Sequence, residues 1–404
     1  MSGSSTAFDG LLASVREGAV RREADRTLLF DEVRALTDLR FGAARLPVEA
    51  GGEGIGLEEL VSRLVRLSAA DASLGHLWRG HVAFVEGLLL DAGSSGGVDA
   101  RWAQRLAAGA MVGNAQSERQ ETTTLTTRLH RVDGRLLLSG TKYYTTGSIY
   151  ADWVHLAALY GDERVLVTVA ADHPGVRPVD DWDGFGQLLT GSGTTTFDAV
   201  PVDPRDVSAP GVETVRWQYL GSVFQLALLA VVAGIAQRAL EDTVDFVRPR
   251  RRTFAVAGES SPREDPLVQH VVGELSAAAS TARRVVLSLA RDLDAARRAG
   301  EDLQPLQLEV YRAQRTVPQL VLEATSSLFE VGGASALSRG LGLDRHWRNA
   351  RTVASHNPVA QRTRAVGRYE LLGILPEPSA AGAPAAEDQQ ASSLAVAAPG
   401  PGRL

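Results

Sequence analysis

The 404-residue chain contains no cysteine. Disulfide bonds, thiolate catalysis, iron–sulfur clusters and cysteine-ligated zinc are therefore excluded. A surplus of positive charge is also missing, because the formal net charge is -6 and the isoelectric point is near 5.8. Domains that grip nucleic acid carry a basic footprint, so we expect no nucleic-acid partner.

Long apolar runs are missing too. The longest, residues 226–236, has eleven residues. It is too short to span a bilayer, so it predicts a buried core helix and no membrane partner. The first residues show no basic region followed by an apolar stretch, which is the pattern of a secretory signal. We therefore expect a cytoplasmic protein.

Several common catalytic motifs are absent. The sequence has no phosphate loop, no nucleophile elbow and no H-E-x-x-H zinc helix. The eight histidines are scattered, and no pair has a convincing metal-ligand spacing. We expect no metal site.

Hydrophobic patterning divides the chain into three regions. Helical periodicity dominates up to about residue 110, for example in residues 57–69. The glycine-rich residues 46–56 are predicted to form an inter-helix loop rather than a nucleotide-binding loop. Short β-branched runs separated by turn dipeptides then predict strands at 135–138, 154–158, 164–170 and 194–200, arranged as a small barrel or sandwich. Long helices are predicted at 218–247, 270–299 and 306–331.

Four segments carry a resemblance to a known family. Residues 112–118 (VGNAQSE) and 139–147 (SGTKYYTTG) resemble the two flavin-cradling segments of the acyl-CoA dehydrogenase superfamily. Residues 329–333 (FEVGG) and 344–351 (DRHWRNAR) resemble the two signatures that close its C-terminal bundle. The resemblance implies an α+β, mainly helical fold.

The implied domain layout has four parts. An N-terminal helical domain (1–110), a central small β-barrel (111–210) and a C-terminal four-helix bundle (211–376) are expected in this order. The Ala/Pro/Gly-rich residues 377–404 cannot bury enough surface to offset their ordering entropy, so we predict a disordered tail.

Further details are similar to one branch, the two-component flavin monooxygenases such as dibenzothiophene monooxygenase. The segments concerned are residues 73–77 with Gly80 and His81, 113–115, 180–182 leading into 190–193, and 356–359. This resemblance implies a homotetramer that uses O2 and reduced FMN, with FAD less expected. A separate NAD(P)H-dependent flavin reductase would supply the flavin, and a flavin hydroperoxide would oxygenate a small, aromatic or heteroaromatic substrate.

Two other functions stay open on the sequence. One is an acyl-CoA dehydrogenase or oxidase, and the other is a non-catalytic scaffold of the same fold. Many dehydrogenases have a glutamate base after the second bundle signature, but here residues 355–358 read SHNP. A positioned base commonly contributes 10²–10⁴-fold to proton abstraction, so its absence favours the monooxygenase.

The resemblance also implies the site residues. The catalytic candidates are His81 and His356, because imidazole has a reference pKa near 6.5, together with Thr146 and Asn114. Arginine has a fixed fork of donors suited to phosphate, so Arg252, or Arg251 one residue earlier, is expected to hold the flavin phosphate of a neighbouring subunit. The full expected cofactor set is Asn114, Thr146, Trp182, Ser192, Arg252, Arg251, Gly332 and Gly333.

Overall fold

A computed structural model describes residues 2–119, 125–209, 214–251 and 261–376. The predicted order of helices, strands and helices is confirmed, and the fold is α+β with a helical majority. The proposed boundary at 110/111 falls between the last N-terminal helix and the first strand. The boundary at 210/211 and the predicted tail, 377–404, lie outside the described residues.

The N-terminal region consists of helices joined by short loops. Asp71 caps the fourth helix by accepting hydrogen bonds from the backbone N–H groups of Ser73 and Leu74. Trp78 separates that helix from the next, and the later of the two packs against the first strand of the sheet. The helices are α1 (Ser2–Asp25), α2 (Phe30–Asp38), α3 (Leu57–Ala70), α4 (Ala72–Leu77), α5 (Arg79–Ser95) and α6 (Ala100–Ala107).

The middle region is one eight-stranded sheet. All four predicted strands are present, and four short strands that the pattern did not predict join them. The strands are β1 (Val112–Ala115), β2 (Arg128–Val132), β3 (Arg135–Lys142), β4 (Trp153–Tyr160), β5 (Glu163–Ala170), β6 (Val176–Pro178), β7 (Thr195–Val202) and β8 (Val207–Ser208).

The sheet curves around a single apolar core. Its hydrogen-bonded order is β6-β7-β3-β2-β4-β5-β8, and β1 pairs with β4. Val176 and Phe197, at one end of this order, share a core with Val165 and Val167 near the other end. A flat sheet cannot bring its two ends together, so the sheet must curl, as expected for a small barrel.

The C-terminal region is a bundle of long helices. The helix α7 lies at its centre, and 89% of its most apolar stretch is buried inside the fold. Length and composition alone would let this helix cross a membrane, but its burial is that of a core helix. It packs against α8 and α9, while α11 packs on α9. The helices are α7 (Thr214–Val247), α8 (Pro266–Ala299), α9 (Gln304–Ser327), α10 (Asp344–Ala354) and α11 (Val359–Leu372).

Candidate functional site

Polar side chains from all three regions meet where α4 and α5 face the sheet and the end of α10. Because Gly80 has no side chain, α5 can approach β1 closely: a Cβ on Gly80 would lie 2.2 Å from the Cβ of Asn114. The loop before β7 is tied to α10, since the Gln187 N–H donates to the Asn349 side-chain oxygen at 2.5 Å. We call the group so assembled the candidate active site; its members are His76, Arg79, Asn114, Thr146, Gln187, Ser192 and His356.

Three buried hydroxyls form a chain with a fixed direction. The Thr190 hydroxyl donates to the Gln187 carbonyl at 2.8 Å, and its oxygen lies 2.7 Å from the Ser192 hydroxyl. A hydroxyl has one hydrogen, so Ser192 must donate to Thr190. By the same argument Thr146, 2.8 Å from Ser192, must donate to Ser192. The chain therefore leaves the lone pairs of Thr146 open as acceptors.

Asn114 contributes an uncommitted amide. It is only 8% exposed, and no hydrogen bond of its carboxamide is found within the described ranges. Buried polar groups are normally hydrogen-bonded. Asn114 and Thr146 together thus present donors and an acceptor that a polar ligand would satisfy.

His76 and Gln187 form a second pair with unused valences. The His76 Nδ1 lies 3.1 Å from the Gln187 Oε1. The opposite atoms, His76 Nε2 and Gln187 Nε2, are buried and have no partner among the described residues. Burial, followed by the charge of Arg79, lowers the pKa of His76 to about 4, so its ring is neutral at pH 7. The backbone of Gln187 is also strained, with a left-handed φ of 54°, which is typical of residues held for function.

Arg79 joins His356 to the site. The Arg79 Nη1 lies 2.9 Å from the His356 Nε2, and because arginine only donates, that nitrogen is the acceptor and the His356 proton sits on Nδ1. The surrounding protein and then the charge of Arg79 hold the pKa of His356 well below its usual value. His356 is an exposed residue in the single chain, so the contact with the Arg79 guanidinium is what holds its ring in place.

His81 does not fit the acid–base role that we expected. It is 1% exposed; its Nδ1 accepts from the Val112 N–H, and its Nε2 lies 3.0 Å from the Gly42 carbonyl. Both ring nitrogens are thus engaged with backbone groups, and burial lowers the pKa of His81 to about 4. His81 ties α5 to β1, and His76 is the histidine that reaches the site.

Trp182 lies at the edge of the site in the loop before β7. Its indole N–H donates to the Gly186 carbonyl at 3.0 Å, and its ring makes an edge contact with Tyr144 at 6.1 Å. Arg26 donates to the Trp182 carbonyl at 2.6 Å. The residue is partly buried, and Gly184 lies against its ring, where a Cβ would come within 2.1 Å.

Gly332 and Gly333 lie away from the candidate active site in the single chain. Gly332 packs against Phe246 near the C-terminal end of α7, where a Cβ would lie 2.3 Å from that ring. Phe224, beside Arg79, is 22 residues earlier in the same helix, or about 33 Å at 1.5 Å per residue. One small ligand cannot touch both places within one chain.

Of the arginines expected to hold a phosphate, Arg251 follows α7 at that same distant end. Arg251 is exposed, and Arg252 lies outside the described residues.

Three members of the site were not among the sequence candidates. They are His76, Arg79 and Gln187. A usable signal existed for Arg79, because it is the one formally charged residue in the stretch 74–85, whose other members are apolar residues, glycines and two histidines. Gln187 carries no such signal, since polar loop residues are ordinary.

Comparison with known proteins identifies relatives of this chain. Residues 226–361 match the family model described as the acyl-CoA dehydrogenase C-terminal domain. A dibenzothiophene monooxygenase of Mycolicibacterium goodii is 30% identical over 354 residues, covering 82% of this chain and 85% of the relative.

Two solved structures resemble the whole chain. TdsC from Paenibacillus sp. A11-2, solved as a complex with FMN and indole, is 29% identical with a TM-score of 0.83 and covers 93% of this chain and 98% of its own. The methanesulfinate monooxygenase MsuC from Pseudomonas fluorescens is 25% identical with a TM-score of 0.84. The match covers 94% of this chain and 99% of MsuC.

Proposed function

The chain belongs to the dibenzothiophene monooxygenase family of flavin-dependent monooxygenases, and from that premise we propose that it oxygenates a small molecule with O2 and reduced FMN supplied by a separate NAD(P)H-dependent flavin reductase. The observation that carries the proposal is the set of buried, unsatisfied polar atoms at the candidate active site. A protein that had kept only the fold would have no reason to retain them, because each costs about 1–3 kcal/mol.

The residues of the site fit a flavin. Reduced FMN is a planar polar ring system with ring N–H groups, and the open Thr146 oxygen can accept from such a group. The Asn114 amide can donate and accept, Ser192 fixes the Thr146 hydroxyl, and the partly buried indole of Trp182 is the aromatic ring proposed to pack against the flavin. Reduced FMN would supply the two electrons and two protons with which one atom of O2 enters the substrate and the other leaves as water.

His356 and His76 are the proposed proton-handling groups. His356 presents its Nδ1–H, because its Nε2 is occupied by Arg79. His76 presents Nε2, whose lone pair is free when Nδ1 carries the proton. A donor and an acceptor are therefore held beside Arg79, with His76 buried and His356 exposed in the single chain.

A cavity beside His356 is the proposed place for the substrate. It lies between α7, α9 and the start of α11, with apolar walls. Polar atoms stand at one side, where Asn357 and Gln314 both donate to the Gln225 Oε1, at 2.6 and 2.8 Å. The apolar lining residues include Leu228, Leu229, Val232 and Val353.

The names of the relatives leave the substrate class open. Dibenzothiophene is a neutral heteroaromatic molecule, and methanesulfinate is a small organic anion. The acyl-CoA dehydrogenase alternative is disfavoured, because the position after α10 carries a neutral imidazole held against a guanidinium.

We also propose a homotetramer located in the cytoplasm. An oligomer is supported by the distance of about 33 Å along α7 between the candidate active site and the predicted phosphate-holding end. A neighbouring chain could bring its own Arg252 and glycine pair to this site.

An anaerobic titration followed by oxygen tests the proposed function. Reduced FMN should bind more tightly than oxidised FMN, and ¹⁸O from ¹⁸O2 should enter an oxygenated product only when reduced FMN is supplied, either chemically reduced or by reductase and NAD(P)H. Failure to bind reduced FMN would reject the proposal. Efficient reduction of bound oxidised flavin by butanoyl-CoA would instead establish a dehydrogenase.

A further inference from the structure

Arg79 is a buried cation without an acidic partner. It is 9% exposed, its Nε donates to the Phe224 carbonyl at 3.2 Å, and its guanidinium lies 4.6 Å from the Phe224 ring centroid. Within the described ranges no carboxylate lies at ion-pair distance from it. The other two buried arginines differ: Arg45 pairs with Glu86 and Asp294, and Arg345 pairs with Asp242.

An unpaired buried charge is costly to maintain. Removing an ion from water costs several kcal/mol, and a nearby opposite charge normally offsets this. Burial lowers the pKa of Arg79 to about 9, so the side chain is still protonated at pH 7. His356 and a backbone carbonyl supply only neutral acceptors. The charge is therefore retained without a counter-ion from the described residues.

Two other groups point to a ligand at this place. His76 precedes Arg79 by three residues, about one turn, and Arg79 acts on its pKa. Its Nε2 and the Gln187 Nε2 are buried without a partner. The Gln187 amide is a donor, which suits an anionic oxygen. The Gln187 amide and the Arg79 guanidinium are thus the two donors that an anionic oxygen can use, whereas the His76 Nε2 carries a free lone pair and takes no part in that contact.

We propose that Arg79 binds an anionic head group of the substrate, so that this enzyme oxygenates a small organic sulfinate, sulfonate or carboxylate. The proposal rests on the proposed function, and it places the organic part of the substrate along the cavity at Leu228 and Val353. One atom of O2 enters the organic anion and the other leaves as water, with two electrons and two protons from FMNH2. The charge of the substrate is unchanged, so Arg79 holds substrate and product alike.

The flavin phosphate is the other anion that could neutralise Arg79. Arg79 contacts Phe224 and His356, and the residues that follow these two in the chain, Gln225 and Asn357, line the proposed substrate cavity, which favours the substrate. The two sources are distinguished by measuring the affinities for FMNH2 and for a flavin-free anion separately.

The test uses Arg79→Met and Arg79→Gln with calorimetric binding of benzenesulfonate and of neutral benzenesulfonamide. The full-length protein is used alone and with saturating FMNH2 under anaerobic conditions. Wild-type protein should bind the anion at least tenfold more tightly than the neutral analogue. Both variants should lose that tenfold preference, because a charge-assisted contact is removed, while their affinity for FMNH2 stays within about twofold.

Thermal unfolding provides the structural control. Arg79→Met removes an unpaired charge, so the midpoint of the flavin-free protein should be unchanged or higher. Arg45→Met leaves Glu86 and Asp294 buried without their partner, so its midpoint should fall. A large destabilisation by Arg79→Met would show that Arg79 serves the fold and would overturn the proposal.

Two further outcomes also overturn it. Equal binding of anion and neutral analogue by the wild type would exclude an anion site. A loss of FMNH2 affinity in the variants with anion binding intact would assign Arg79 to the phosphate. If FMNH2 fails to bind the wild type, the proposed function fails, whereas the anion measurements on the flavin-free protein still decide the role of Arg79.

Discussion

Replacing His81 by alanine should destabilise the protein while sparing the chemistry of the molecules that remain folded. The substitution leaves the Val112 N–H and the Gly42 carbonyl buried without partners. Each unsatisfied buried group costs about 1–3 kcal/mol, so the free energy of unfolding should fall by about 2–6 kcal/mol, before any cavity term. His81→Gln should cost less, because the amide has both a donor and an acceptor.

The pH dependence of stability gives His81 a second signature. Its pKa is about 4 in the folded protein against about 6.5 in the unfolded chain, so between these values only the unfolded chain binds the proton. The stability due to the neutral ring is therefore present above pH 6.5 and is lost as the pH falls toward 4. A pKa difference of about 2.5 corresponds to about 3 kcal/mol. His81→Gln should remove this contribution to the acid sensitivity.

Urea unfolding at pH 7.5 and pH 5, at one protein concentration, measures both effects. Product formed per O2 consumed, corrected for the folded fraction, measures the chemistry. If His81→Ala keeps its unfolding midpoint and its pH dependence but loses product formation, His81 acts in the reaction and its structural role is refuted.

The remaining predictions concern the site itself. His356→Ala should fold and bind reduced FMN but form at least about a hundredfold less product, with the lost oxygen appearing as hydrogen peroxide. The control is His270→Ala, because His270 is exposed. Unchanged product formation per O2 in His356→Ala would contradict the proton-handling role of His356. Thr146→Val should weaken reduced FMN about two- to tenfold in a fluorescence titration, since one hydrogen bond is lost; an unchanged constant would place the flavin elsewhere. Arg252→Ala should weaken flavin binding roughly ten- to a hundredfold in the same titration; no effect would transfer the role to Arg251, tested in turn.

The long elements were predictable because burial imposes periodicity on sequence. Residues 218–247 are apolar on nearly all sides, and α7 is the central helix. The strand β2 was missed because four of its five residues are not buried, so no apolar alternation marks it.

The choice among histidines could not be made from sequence. His76 and His81 lie five residues apart on two helices separated by Trp78, and in the folded chain the His76 ring contacts Gln187 whereas the His81 ring contacts the backbone of Gly42. Arg79 was missed because a charged residue on a helix is usually solvated, and only the packing of Phe224 over it shows otherwise.

The hydroxyl chain that ends at Thr146 would change the reduction potential of a flavin bound beside it. A flavin nitrogen that carries hydrogen can donate to the open Thr146 lone pair, whereas the same nitrogen without hydrogen would force Thr146 to turn away from Ser192 and give up one hydrogen bond. That loss is about 0.5–1.5 kcal/mol, or roughly 10–30 mV for a two-electron couple. The Gln187 carbonyl sets the direction of the whole hydroxyl chain, because it accepts the Thr190 proton. It would thus raise the midpoint potential of a flavin bound beside Thr146.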